Sequence, residues 1–278
     1  MISSRSLLIA ALLTPLANLV AAERIVTLGA PVTETVFALG AGDEVVARDA
    51  SSMYPRAAAA LPDVGYFRTI SAEGVLSKNP TVIVADFGTG PSQQVELLKN
   101  SGAKFVYLQA KPSAENTIAM IEQVGAAVGR TKEADALADK LRSQLTEATA
   151  LAKASGRTPK VIFVMGVSGS SLQAAGDNTA ATGLIQMAGA VNPLSGFNGY
   201  KSISPETLLE LDPDFILYAK KLHGGGTALS LETAPPWMAA SRAMRTGRVQ
   251  GIDMTYHLVF GPRLGEAVLD VTKMLHAH

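Results

Sequence analysis

Short apolar, β-branched runs alternate along this chain with longer segments whose apolar residues recur every three or four positions. Residues 24–28, 44–47, 82–85 and 104–108 read as strands bounded by Gly, Pro and Asn. Residues 33–39, 93–101 and 113–128 between them have helical spacing. The polar stretch 48–55 reads as a loop, and 56–60 as a helical turn. Residues 87–91, Phe-Gly-Thr-Gly-Pro, form a breaker-rich loop at the C-terminal end of a predicted strand. Open α/β sheets place their ligand crevice at such ends. The alternation resumes after Pro159, with strands at 161–165, 215–218 and 249–252. Helices are predicted over 179–188, 205–211, 237–244 and 264–275, with an irregular loop over 192–201. This order predicts an α/β protein with mainly parallel sheets.

The pattern changes between Thr131 and Ser155. Ala134, Leu137, Ala138, Leu141, Leu145, Ala148 and Leu151 form one stripe, and no Gly or Pro interrupts until Gly156. This predicts a single helix of roughly 33 Å at 1.5 Å per residue. A flexible linker would be rich in Gly, Ser or Pro. The expected organisation is therefore two lobes, 23–128 and 156–278, joined by a stiff helix over 129–155.

The two lobes share a repeated stretch. Ser71, Glu73, Leu76 and Pro80 are matched, 133 positions later, by Ser204, Glu206, Leu209 and Pro213, and a strand-like run follows each copy. Solenoid periods are shorter, roughly 20–50 residues, so the repeat relates lobes rather than small units. Only the first copy is preceded by a Tyr-x-Arg, Tyr66 and Arg68.

Composition narrows the class without naming it. Lys plus Arg equal Asp plus Glu at 24 each, and nothing marks the strongly basic face expected of a nucleic-acid partner. Arg5 is the only charge before Glu23, 7–13 is a compact apolar run, and Val20-Ala21-Ala22 offers a small-residue cleavage site. Residues 1–22 thus read as an export signal, too short and too interrupted for the roughly 20 residues of a membrane span. Its removal leaves 23 basic and 24 acidic residues, a formal charge of −1. The chain has no cysteine, hence neither a disulfide nor a lipid-attachable thiol. The expected compartment is a bacterial periplasm.

Few residues offer chemistry. His276 and His278 are terminal, and His223 and His257 lack paired metal-ligand spacing. Residues 166–171, Gly-Val-Ser-Gly-Ser-Ser, approach a nucleophile elbow, but Ser170 stands where the motif needs Gly. An exported hydrolase using Ser168 or Ser170 is the enzymatic alternative. Gly40-Ala41-Gly42 lacks a third fingerprint glycine, and Gly224-Gly225-Gly226 precedes no helix that could hold a phosphate. In an extended segment Tyr66 and Arg68 point to one side, where a guanidinium stabilises a phenolate. Tyrosinate is a hard oxygen ligand and a known axial ligand of haem iron. A surface tyrosine with a packing neighbour is the plainer reading of the same tripeptide. Glu73 and Glu206 fit either helix-dipole electrostatics or paired docking onto a two-fold partner.

Several segments carry a wider likeness: E-R-I-V-T-L-G from Glu23, V-A-R-D-A-S-S-M-Y-P from Val46, and L-P-D-V-G-Y-F-R-T-I-S-A-E-G-V-L-S from Leu61. A-A-G-D-N-T-A-A from Ala174 and F-G-P-R-L-G-E-A from Phe260 extend it over the mature chain. The sequence resembles the periplasmic haem-binding proteins of bacterial ABC haem importers, in a family shared with siderophore and cobalamin carriers. The resemblance implies the class III periplasmic binding protein architecture, with limited hinge motion and haem, the transported ligand, held in the cleft. Tyr66 matches the axial tyrosine and Arg68 its supporting arginine. Glu73 and Glu206 match the glutamates that dock the lobes on an inner-membrane permease dimer with its ATPase. Some relatives add a second-lobe histidine; residues 166–171 carry none, so five-coordinate iron is expected. Lys220, Lys221, His223 and Arg263 are the candidate propionate or cleft contacts. The expected protein is monomeric and not an enzyme.

Overall fold

The computed structural model describes residues 23–108, 113–168, 171–220 and 234–276. Strands β1 (Ile25–Leu28), β2 (Val45–Arg48), β3 (Val82–Ala85) and β4 (Lys104–Tyr107) form one sheet in the order β2-β1-β3-β4. All its pairings are parallel. A second sheet holds β5 (Val161–Ser168), β6 (Ser171–Ala175), β7 (Tyr200–Ile203), β8 (Phe215–Ala219) and β9 (Val249–Ile252). Its order is β7-β6-β5-β8-β9. Strands β5, β8 and β9 repeat the parallel arrangement of β1, β3 and β4, whereas β6 is antiparallel to both neighbours.

The second sheet is thus mixed. Strand β5 runs on to Ser168, which lies opposite Ser171, so residues 166–168 of the expected turn are paired strand. Strand β7 replaces the end of the expected irregular loop. The run Ser-Leu-Gln-Ala-Ala holds one large apolar side chain, Leu172, and cannot announce itself by alternation. Pairing between two neighbours makes it a strand. Residues 237–244 divide into a 3₁₀ segment, Pro236–Ala240, and one turn of helix, Arg242–Arg245.

The long helix is Thr131–Ala154, 24 residues. Its buried face is Ala134, Ala138, Leu141, Ala148 and Ala152, while Leu151 is left 38 % exposed. It packs between the helix Ala114–Ala127 of the first lobe and the terminal helix Leu264–His276. Small residues allow the approach: a β-carbon on Gly125 would lie 2.3 Å from that of Ala134.

One apolar core runs from Ile25 and Val84, through Ala138 and Leu141 of the long helix, to Phe163 and Leu217. The opposite faces of the sheets have their own cores, around Val26 and Ile83 and around Ile162 and Ile216. Both faces of each parallel core are therefore covered, as such sheets require. A second connection runs beside the long helix. The Thr117 hydroxyl donates to the Phe260 carbonyl at 3.2 Å, joining the first lobe to the segment that enters the terminal helix. No helix among the described residues is long and apolar enough to cross a membrane.

Candidate functional site

The C-terminal ends of β1, β2 and β3 converge on two carboxyl groups, Asp49 buried and Asp86 half-buried. Asp49, fully buried, accepts from the Gly29 N–H at 2.9 Å, the Ser51 N–H at 2.9 Å and the hydroxyls of Ser51 and Ser52. These donors offset the loss of water around the charge. Asp86 follows β3, and its Oδ1 accepts the Phe87 N–H at 2.8 Å. Burial pushes its carboxyl up to about 6, against the opposing pull of that N–H and of Arg68; Asp49 adds to the rise. Gly29 lies between the two acids with φ +114, and a β-carbon there would sit 2.4 Å from that of Asp86. Only glycine fits that backbone and that gap.

Tyr66, Phe67 and Arg68 form one cluster, but not on an extended strand. Phe67–Thr69 is a 3₁₀ turn, so the alternation that would set Tyr66 and Arg68 on one side does not apply. Phe67 is the buried post between them. The Tyr66 ring meets it edge-on with centroids 5.0 Å apart, and the Arg68 guanidinium lies 4.8 Å from its centroid. Tyr66 is 45 % exposed. No hydrogen bond joins the Tyr66 hydroxyl to Arg68. Arg68 instead rests on Gly88, where a β-carbon would come within 2.5 Å of Nη1.

Two cavities open between the lobes. One, about 160 Å³, is lined by Arg68, Asp86 and Phe87 and by apolar side chains including Leu108, Met120 and Phe260. The other, about 600 Å³, faces Phe87 with the second lobe's Asn178, Thr179, Thr182 and Asn198. Its volume lies within the roughly 300–1,000 Å³ usual for small-molecule sites. Thr179 caps the helix Ala180–Met187 through the Thr182 N–H at 3.1 Å. The larger cavity therefore joins an apolar ring on one side to a polar rim on the other, where the acid Asp177, which accepts the Gly196 N–H at 2.9 Å, stands among the amides and hydroxyls.

The remaining candidates divide. Lys220 follows β8 and is exposed, its N–H donating to the Ile252 carbonyl at 3.0 Å; Lys221 and His223 lie outside the described residues. Arg263 is engaged elsewhere. Its Nε and Nη2 hold both oxygens of Glu34 at 2.8 Å, and its plane stacks 3.7 Å from the Tyr54 ring centroid. Glu73 and Glu206 take the same place in matched short helices. Each lies exposed in the first turn, behind a serine that caps the helix by accepting from Gly74 N–H or Thr207 N–H. The Ser204 hydroxyl and the residue's own N–H hold the Glu206 carboxyl below its usual range. Ser168 ends β5, which is followed by β6 and not by the helix a nucleophile elbow requires, and Ser170 lies outside the described residues. Among the described residues no group of three His, Cys, Asp or Glu could hold a metal ion.

Sequence reasoning passed over Glu34 and Asp86. Glu34 is 3 % exposed, and an acid in the apolar run Ala-Pro-Val-Thr-Glu-Thr-Val-Phe-Ala was the available signal. Asp86 follows a strand at the crevice loop, where a carboxylate has reason to be noticed.

Known proteins share this architecture. A structure of the periplasmic haem-binding protein BhuT in complex with two haems superposes with a TM-score of 0.83 at 32 % identity, covering 91 % of this chain and 98 % of that one. The ABC transporter substrate-binding lipoprotein YvrC of Bacillus subtilis is 25 % identical over 91 % of this chain and 80 % of its own. The vitamin B12-binding protein of Pectobacterium atrosepticum is 26 % identical over 70 % of this chain and 71 % of its own. The model of the periplasmic binding protein family matches residues 25–255. The chain belongs to the periplasmic binding protein family.

Proposed function

We propose that this protein captures ferric haem between its lobes, with Tyr66 as axial ligand, and delivers it to an inner-membrane ABC transporter. The observation that carries the reading is the cluster of an exposed phenol, a buried aromatic post and a seated guanidinium at the sheet edge that borders the cleft. A tyrosinate suits ferric iron, and a nearby cation favours its charged form. The similarity to BhuT, which holds haem, supports the same ligand. Arg68 acts here as the supporting cation, moving from its seat on Gly88 toward the phenolate on binding. The larger cavity gives the macrocycle an aromatic wall, and the amides and hydroxyls of its rim, away from Asp177, are donors for the propionates. Glu73 and Glu206 dock the lobes on a permease dimer: they are exposed, matched in helix position and carried on related halves. Arg263, spent on Glu34, is assigned to the lobe junction rather than to the propionates. Residues 1–22 direct export to the periplasm.

The vitamin B12-binding relative favours a second reading, a corrinoid carrier of the same fold. Visible-absorption titrations with haemin, cyanocobalamin and a ferric siderophore separate the three. Tight saturation by haemin alone is the expected result; saturation by either other ligand without haemin binding overturns the assignment.

A further inference from the structure

Phe87 stands apart among the cleft residues. It borders both inter-lobe cavities, the 160 Å³ space behind Arg68 and the 600 Å³ space facing the second lobe. It is a large apolar side chain left 38 % exposed at a crevice otherwise rimmed mainly by polar side chains, Asp177 among them. Its backbone is tied on both sides. The Phe87 N–H donates to the Asp86 carboxylate at 2.8 Å, and the Gly88 N–H to the Tyr107 hydroxyl at 3.3 Å. The Thr89 N–H and hydroxyl both return to the Asp86 carbonyl, at 3.1 and 2.8 Å. The next residue, Gly88, has φ +82, a conformation few side chains accept. The loop backbone that carries the ring is thus held in place. Phe87 borders the larger cavity on one side and the smaller, mainly apolar one on the other.

We propose that Phe87 sets the thickness of the macrocycle this cleft accepts. The inference rests on the tetrapyrrole reading above. A ferric porphyrin is flat and offers an uninterrupted π-face, which an aromatic ring held in place meets by stacking or edge contact. A corrinoid carries axial groups and amide arms on both faces of its ring. It fits beside an aromatic partition only if the partition is removed and the space behind it joined to the cleft. Phe87 is therefore a specificity-determining residue that excludes thick macrocycles by their shape, and such exclusion discriminates as effectively as added attraction.

The test is a pair of titrations, with haemin and with dicyanocobinamide, on the wild type, Phe87→Ala and Phe87→Trp. Wild type is expected to prefer haemin. Phe87→Ala weakens haemin binding about tenfold through the lost ring contact. It also strengthens dicyanocobinamide binding, so the preference for haemin falls at least about a hundredfold. Phe87→Trp, which keeps the partition, retains the preference. An unchanged preference in Phe87→Ala, or its loss in Phe87→Trp, overturns the inference. If wild type binds dicyanocobinamide and not haemin, the haem reading fails, and unchanged cobinamide affinity in Phe87→Ala would show separately that Phe87 is no partition.

Discussion

The Glu34–Arg263 pair makes the junction between the lobes open to measurement. Glu34 lies on the helix Ala30–Ala38 of the first lobe and Arg263 at the entry to the terminal helix. Their side chains are 3 % and 21 % exposed, with two hydrogen bonds of 2.8 Å between them. Breaking a buried pair by removing one partner costs about 3–5 kcal/mol. Arg263 keeps the Thr255 carbonyl at 3.0 Å and the Tyr54 ring, which argues for the lower end. Glu34→Gln should therefore destabilise the protein by about 3 kcal/mol. The reverse truncation behaves differently, because a carboxyl can shed its charge by protonation and a guanidinium cannot lose its own. Burial already raises the Glu34 carboxyl, despite the pull of Arg263. In Arg263→Met it rises further. A carboxyl raised in the folded state contributes stability that is present below its unfolded value and lost as pH rises. Arg263→Met should accordingly be nearly tolerated at pH 5 and clearly destabilised at pH 8, whereas Glu34→Gln should be costly at both. Urea unfolding of the wild type, both single variants and the double variant at these two pH values gives the cycle, with an expected coupling of about 2 kcal/mol at pH 8. A cost below about 1 kcal/mol for Glu34→Gln, or strictly additive variants, would refute the inter-lobe strut.

Two further outcomes follow. Reversing both Glu73 and Glu206 to Lys should leave haemin affinity unchanged while abolishing delivery to transporter vesicles; full transport at low salt would remove the docking role. Asp86, raised from 3.8 to about 6 by burial, destabilises the unliganded protein by about 3 kcal/mol once ionised. This contribution is absent below pH 3.8 and complete well above 6, so Asp86→Asn should gain stability over wild type as pH rises from 4 to 8, and a constant difference in urea midpoints would count against the assignment.

How much of this could be read from the chain depended on what each residue answers to. The long helix was legible because its stripe is continuous, although close packing of Gly125 on Ala134 and of Gly189 on Ala152 turns the buried face toward Ala152 and away from Leu151. The paired helices of Glu73 and Glu206 were legible because Ser71 and Ser204 cap them locally. Strands β6 and β7 were not, since their sequences are mostly small or polar and only pairing, of β6 to β5 and of β7 to β6, makes them strands. At the site, Tyr66 and Arg68 stood out as residue types, but their relation did not. The 3₁₀ turn at Phe67 and the seat on Gly88 arise from hydrogen bonds between Phe67, Ile70 and Gly90, contacts across 20 or more residues. The role of Arg263 was hidden for the same reason: its partner Glu34 lies 229 positions away.

The central claim is that Tyr66 binds haem iron through its phenolate, and substitution of that oxygen tests it most directly. Phe keeps the ring and its edge contact with Phe67 while removing the ligand atom. Haemin titrated into Tyr66→Phe should bind at least about a hundredfold more weakly, the equivalent of about 2.7 kcal/mol. The phenolate-to-iron charge-transfer absorption expected of the wild type should be missing from the variant. A variant that binds haemin with wild-type affinity and an unaltered visible spectrum would contradict the account.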